Sequence, residues 1–316
     1  MNTFRTLAMA MAGTVWVLAS CGNSGNDKGK KKDDTNKAEL PVLAAPLFEE
    51  KCAKLFAGSA PGEDFEASGI HFQQGALYVI FDNMRRVGKI GLAADGAFGP
   101  ATLGEGKKSS SDYEGIAGDG SEGFYVIAES GKPGLEYQPF VHHYNAALVQ
   151  DGKISLRLKT RIEGAGFEGI AYTERDGKQF LLCLNERNGL IVVFEKTADA
   201  FDEVATMELP VRFKDYSDIA LSGLRMAVTS QENSRLWIGS LRSDAWQVAD
   251  SGKVYRFPVG SKTGEMGNGK KELYANIEGV TFINDSTLAT CTDRVKASQP
   301  EMEAIRDQSV QVFRLR

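Results

Sequence analysis

One short phrase occurs five times along the chain, and that repetition limits what the chain can fold into. Its versions are Phe65-Glu66-Ala67-Ser68-Gly69-Ile70, Asp112-Tyr113-Glu114-Gly115-Ile116, Gly166-Phe167-Glu168-Gly169-Ile170, Asp215-Tyr216-Ser217-Asp218-Ile219 and Asn276-Ile277-Glu278-Gly279-Val280. Between the closing Ile or Val residues the steps are 46, 54, 49 and 61 residues. A recurring unit of roughly 40–50 residues marks a propeller or solenoid array, because one unit cannot bury its apolar face alone.

Each phrase leads into a short apolar stretch, a turn and a second strand-like run. Gln73-Gln74-Gly75 precedes Ala76–Phe81, and Gly118-Asp119-Gly120 precedes Gly123–Ala128. Arg175-Asp176-Gly177, Ser222-Gly223 and Asn284-Asp285 play the same part in the later repeats. Turn residues between β-branched and aromatic runs signal hairpins. Leu190–Phe194 and Leu236–Ile238 supply third strands, and Val204–Val211 a fourth. The expected fold is therefore all-β: a β-propeller of five blades, each of about four antiparallel strands, around a central channel. A β-sandwich does not predict one phrase at this period.

Residues 1–20 read as a lipoprotein signal peptide. Arg5 gives the positive start, Leu7–Ala19 the apolar run, and Leu18-Ala19-Ser20-Cys21 resembles a bacterial lipobox in which the Cys21 thiol accepts lipid. The residue after Cys21 is Gly22, not aspartate, so in a Gram-negative cell the expected address is the outer membrane, with the membrane reached through the lipid on Cys21. Residues 21–40 are rich in Gly, Asn, Ser, Lys and Asp and read as a disordered tether. Six of the 37 basic and three of the 42 acidic residues fall in 1–37, which leaves 31 basic against 39 acidic, a net of −8, in the remainder. Such a domain is a poor partner for nucleic acid and suits cations.

Residues 41–64 are expected to pack on or close the ring, because the last repeat ends short of strands after Ser309–Leu315. Phe48, Cys52, Leu55 and Phe56 lie on one helical face, although the stretch also suits an edge strand. The propeller proper is 65–316, with extra length and an additional hairpin within Ser243–Ala275. With Cys21 lipidated, Cys52, Cys183 and Cys291 allow at most one disulfide; Cys183 reads as a buried small hydrophobe and Cys52–Cys291 is the candidate bridge. The chain is expected to be a monomer.

In a blade the start of the first strand and the end of the second share one face. The central phrase position holds Ser68, Glu114, Glu168, Ser217 and Glu278. At the ends of the second strands stand Asp82, Glu129, Glu186, Glu232 and Asp293. All ten are hydroxyls or carboxylates and should ring one mouth of the channel. Glu66 and Asp215 add nearby acids, and Asp218 stands where other repeats have glycine. Crowded carboxylates must hold protons or share a cation. Calcium, which takes six to eight oxygen ligands, suits Glu114, Glu168 and Glu278. A structural role is the alternative: the phrase glutamates accept backbone N–H bonds, and the second-column acids pair with bases such as Arg187 or Arg294.

The order of these motifs, with Phe124–Ser130 after Tyr113-Glu114-Gly115-Ile116, Leu184-Asn185-Glu186-Arg187 after the third phrase and Ser230-Gln231-Glu232 after the fourth, resembles the SdiA-regulated (YjiK-like) family of five-bladed propellers. The resemblance covers about 65–316 and implies a bound calcium, falling on Glu114, Glu168 and Glu278, with no established activity. Asp218, an insert at Gly131–His142 and a helix expected in Gln299–Gln308 depart from the family pattern.

Two functions follow. One is a calcium-binding module that offers its mouth to a small ligand or an envelope protein. The other is a calcium-dependent hydrolase (lactonase, phosphatase or esterase) with Glu129, Glu186 or His142 as acid or base. Two of the three histidines, His142 and His143, lie at the end of the insert with Tyr137 and Phe140, so a ligand-contacting lid and an ordinary polar loop are both open readings. A phosphate substrate requires Arg187 and Arg294 to face the channel. No nucleophile elbow, HExxH or P-loop is present.

Overall fold

The structure, a computed structural model, describes residues 40–58, 62–106, 111–128, 139–162, 164, 166–261, 265–266, 271–295 and 304–315. The signal peptide, Cys21, most of the tether, Glu129, Tyr137 and most of the Gly131–His142 insert lie outside the described residues. No helix among the described residues is long and apolar enough to cross a membrane.

Strand β1 (Phe48–Lys51) and one helical turn, α1 (Cys52–Leu55), come first. Four consecutive strands then form a first antiparallel group: β2 (Ala67–Gln73), β3 (Ala76–Phe81), β4 (Met84–Leu92) and β5 (Phe98–Leu103). The second comprises β6 (Tyr113–Gly118), β7 (Phe124–Ala128), β8 (Phe140–Tyr144) and β9 (Gln150–Arg157), and the third β10 (Phe167–Arg175), β11 (Lys178–Asn185), β12 (Ile191–Lys196) and β13 (Ala200–Met207); their outer strands β9 and β13 pair in parallel and join the two into one eight-stranded sheet. The fourth is β14 (Ile219–Ser222), β15 (Arg225–Ser230), β16 (Arg235–Ser240) and β17 (Lys253–Arg256). A small hairpin, β18 (Val259–Gly260) with β19 (Lys271–Glu272), occupies the extra length that follows. The last group is β20 (Ile277–Asn284), β21 (Thr287–Thr292) and β22 (Ser309–Arg314), completed by β1.

The innermost strands β2, β6, β10, β14 and β20 each pack on the next, and β20 packs back on β2. The molecule is thus a β-propeller. The second strands are largely buried on both faces: every residue of β3 is buried, as are Leu181–Leu184 of β11. Such unbroken apolar runs belong in strands covered on both sides. Here the covering comes from the neighbouring groups. Five apolar clusters fill the five interfaces between groups. The inner hairpins turn through Gln74-Gly75 and Asp176-Gly177, whose φ angles are all positive, as two-residue primed turns require.

The N-terminal segment is part strand and part helix. Phe48 pairs with Val312, and Lys51 with Ser309, so β1 caps the edge that β22 would otherwise expose. Only the four residues from Cys52 are helical, because the ladder claims the residues before them. Phe56 packs its ring on Phe65 and Phe81. Of the helix expected at Gln299–Gln308, only the 3₁₀ turn Ala304–Arg306 forms among the described residues; residues 299–303 lie outside them. Cys52, Cys183 and Cys291 are free and buried, so the candidate Cys52–Cys291 bridge is not formed although both thiols sit in one cluster. Burial pushes the Cys52 thiol up to about 12.

The phrases meet at the axis. A Cβ on Gly115 would lie 2.9 Å from the Glu168 carbonyl oxygen and the Ile170 nitrogen. One on Gly169 would lie 2.7 Å from the Ile219 nitrogen, and one on Gly279 2.8 Å from the Ile70 nitrogen. These obstacles are backbone and cannot swing aside. The channel between the strands narrows to a cavity of about 30 Å³, lined by Ile70, Ile116, Ile170, Ile219 and Val280 among others. Gly169→Ala is therefore expected to destabilise the protein by about 2–3 kcal/mol, whereas Gly58→Ala, with nothing within 4 Å of the added carbon, leaves it unchanged; urea unfolding of the two variants checks this.

Candidate functional site

A left-handed residue introduces three of the innermost strands: Asp112 (φ 51°), Asn276 (φ 50°) and Gly166 (φ 139°). Asp, Asn and Gly tolerate that region best. Two residues later the ladder slips. The register shifts between Ala67 and Gly69, Tyr113 and Gly115, Phe167 and Gly169, and Ile277 and Gly279. The skipped residue is Ser68, Glu114, Glu168 or Glu278. A β-bulge leaves its extra residue out of the ladder and re-aims its side chain. The register also sets Phe167 opposite Asn185, which brings Glu186 beside Glu168.

Four of these acids feel one another electrostatically. Burial, then the charges of Glu114, Glu186 and Glu278, and a hydrogen bond with Glu114 hold the Glu168 carboxyl well above the usual carboxylate range. A carboxyl–carboxyl hydrogen bond needs a proton, and the raised Glu168 carboxyl is suited to supply it. Glu278 is 8% exposed and accepts a 2.5 Å hydrogen bond from Gln231 Nε2. Ser68 Oγ is buried with no hydrogen-bond partner among the described residues.

Several of the other expected mouth residues have partners of their own. Asp218 is a backbone clamp: Oδ1 accepts the Ile219 N–H and Oδ2 the Val280 N–H, both at 2.8 Å. Burial pushes its carboxyl up, while these amides and that of Ile170 pull it down; the balance stands above the ordinary value. Ser217 Oγ donates to the Ile277 carbonyl at 2.6 Å. Glu232 pairs with Lys214, and Glu66 lies 3.8 Å from Arg294. Asp82 uses its carbonyl to hold Ser111, and the Asp293 N–H donates to the Asn276 carbonyl. Asp215 is partly buried beside Tyr216. Gln231, which the sequence columns passed over in favour of its neighbour Glu232, is the residue of that turn that reaches the site.

His142 is not a lid residue. It lies within β8, packed on the rings of Phe140 and Tyr113, and its Nδ1 accepts from Gln150 Nε2 at 2.8 Å. Burial and the charges of Lys153 and Arg85 lower its pKa to about 4, so it is neutral. His143, the next residue, is held between Asp119 and Asp151 at 3.0 and 2.6 Å. His71 lines the axial cavity, and burial lowers its pKa to about 4.

The donors at the mouth are all oxygens, the chemistry a hard divalent cation takes. Among the described residues no three His, Cys, Asp or Glu side chains converge as one ligand group. An ion here would therefore draw on the Glu114–Glu168 pair together with hydroxyl, carbonyl and water oxygens.

No family model matches the chain, and no curated protein matches it. Among solved structures it is similar to the glutaminyl cyclase of Myxococcus xanthus, at 12% identity over 88% of this chain and 100% of that one, with a TM-score of 0.50. A luciferin-regenerating enzyme (12% identity, 85% and 95% covered, TM-score 0.46) and a protein from Lactobacillus plantarum (14%, 81% and 76%, 0.41) share it more loosely. At such identities the likeness is one of fold and carries no chemistry.

The raised Glu168 pKa gives a signed pH dependence. In the unfolded chain a glutamate ionises near about 4.3. The stability from the raised pKa is complete below that value and is lost as pH rises through the folded-state value. Glu168→Gln imitates the protonated form. With divalent ions chelated, the variant should melt above wild type at pH 8, on the order of 2–4 °C, and the gap should close toward pH 4. Thermal melts across that range measure it.

Proposed function

We propose that the chain is a lipid-anchored, calcium-binding five-bladed propeller of the SdiA-regulated type, which presents its acid-ringed mouth as a binding module for a small ligand or an envelope partner. One observation carries the reading. Glu168 is buried within electrostatic reach of Glu114, Glu186 and Glu278, and burial, then their charges, disfavour its ionised form. A divalent cation removes that penalty and displaces the proton of the Glu114–Glu168 hydrogen bond. Glu114 and Glu168 would hold the ion, and Glu278, with Gln231 on one oxygen, would complete the charge around it. The unpartnered Ser68 hydroxyl is a further oxygen donor in the same phrase position. The lipobox at Leu18-Ala19-Ser20-Cys21 supports an envelope anchor, with the outer membrane as its address.

The binding reading is favoured over a hydrolase by where the reactive groups lie. His142 is neutral and walled between aromatic rings. Arg294 turns to Glu66, the outward pairing that counts against a phosphate substrate at the axis. Glu186 alone of the catalytic candidates stands at the described mouth.

Calcium added to the chelator-treated full chain is expected to raise Tm by several degrees. An ion at about 100 times its Kd stabilises by roughly 2.7 kcal/mol if it binds only the folded state. Glu114→Gln and Glu168→Gln should each abolish that rise. A wild-type melt unmoved by calcium, with no retained metal on elemental analysis, contradicts the reading.

A further inference from the structure

Beside the mouth, off the axis, a cavity of about 380 Å³ opens between the β11–β12 turn and the crossover that carries the chain from β13 to the fourth phrase. That is within the size range of small-molecule sites, roughly 300–1,000 Å³. Leu190, Leu209, Val211 and Phe213 line it, together with Arg187 and Arg212.

Both rims are fixed by their own hydrogen bonds. In the turn, Asn185 Oδ1 accepts the Asn188 N–H, Asn188 Oδ1 accepts the Leu190 N–H, and the Gly189 N–H donates to the Asn185 carbonyl. Gly189, at φ 70°, lies flat on the Tyr216 ring, where a Cβ would come within 2.4 Å. In the crossover, Tyr216 Oη donates to the Val211 carbonyl at 2.9 Å and accepts the Phe213 N–H at 3.1 Å. The pocket is therefore preformed, which lowers the ordering cost of binding.

The charge pattern is the informative part. Arg157, Arg242, Arg256, Arg294 and Arg306 all pair with carboxylates. Arg187 and Arg212, like Arg161, Arg175, Arg225 and Arg235, have no carboxylate ion pair among the described residues, but these two line one cavity together. Glu208, which lines this cavity, also lines the neighbouring one and so stands on the shared rim. A guanidinium presents a planar fork of donors that matches a carboxylate or phosphate.

We infer that this pocket binds an anionic ligand with an apolar body: a carboxylate or phosphate seated on Arg187 and Arg212, its hydrocarbon part against Leu209, Val211 and Phe213. The site is separate from the acid mouth and needs no metal.

The test is calorimetric titration of the full chain, in chelator, with 4-phenylbutyrate, phenyl phosphate, inorganic phosphate and the neutral 4-phenylbutanamide. Phenylbutyrate or phenyl phosphate should bind at least about tenfold tighter than the amide, ~1.4 kcal/mol. Whichever of the two binds tighter identifies the anion. Arg187→Gln/Arg212→Gln should erase that difference while leaving Tm unchanged. Phosphate alone should bind more weakly than phenyl phosphate, since it leaves the apolar wall empty. Binding of the amide as tight as the acids, acid binding indifferent to the double substitution, or no heat with any probe overturns the inference. Because the titration excludes divalent ions, its failure leaves the calcium reading standing, and failure of that reading leaves the pocket untouched.

Discussion

The structure depends on backbone touching backbone at the axis. The five phrases pack so closely that a single carbon added at Gly115, Gly169 or Gly279 would strike the next strand at under 3 Å. Interiors packed at this density do not absorb an extra methylene without moving. The fourth phrase carries Asp218 at that place. Its carboxylate reaches the amides of Val280, Ile219 and Ile170 and ties the third, fourth and fifth groups together. The chain solves one steric problem with glycine four times and with a buried acceptor once.

The acid site is a consequence of that closure. The residue just before each close-packed glycine is the bulged one, so drawing the glycines together also draws Glu114, Glu168 and Glu278 together. Repulsion among them opposes folding, and burial strengthens it. Burial and that repulsion tie the stability of the mouth to the protonation of Glu168. Off the axis the logic inverts: the β11–β12 turn places Glu186 toward the acids and Arg187 toward an apolar pocket, so opposite charges serve adjacent sites.

The period of the phrase and the paired turns made the propeller legible in the sequence, because each repeat needs a neighbour to cover its apolar faces. The shared place of the phrase glutamates in their strands was legible for the same reason: a column at fixed phase falls at the same bulge in each of those repeats. What escaped was set by contacts distant in sequence. Asp218 reads as one more acid until Val280, 62 residues on, is seen to donate to it. Gln231 rather than Glu232 reaches Glu278, because a turn displaces the column by one residue and Lys214 claims the glutamate. The β8 strand absorbs His142, which the sequence left at the end of a loop, since its ladder with β7 begins at Val141.

The most direct measurement is the equilibrium unfolding free energy of Asp218→Gly. The substitution restores the glycine of the other four phrases and removes only the acceptor. If the carboxylate is what joins the groups, two or more buried amides lose their partner, and the variant should be less stable by about 3 kcal/mol or more, at roughly 1–3 kcal/mol for each orphaned group. A variant as stable as wild type would contradict the account, because glycine packing alone would then close the ring.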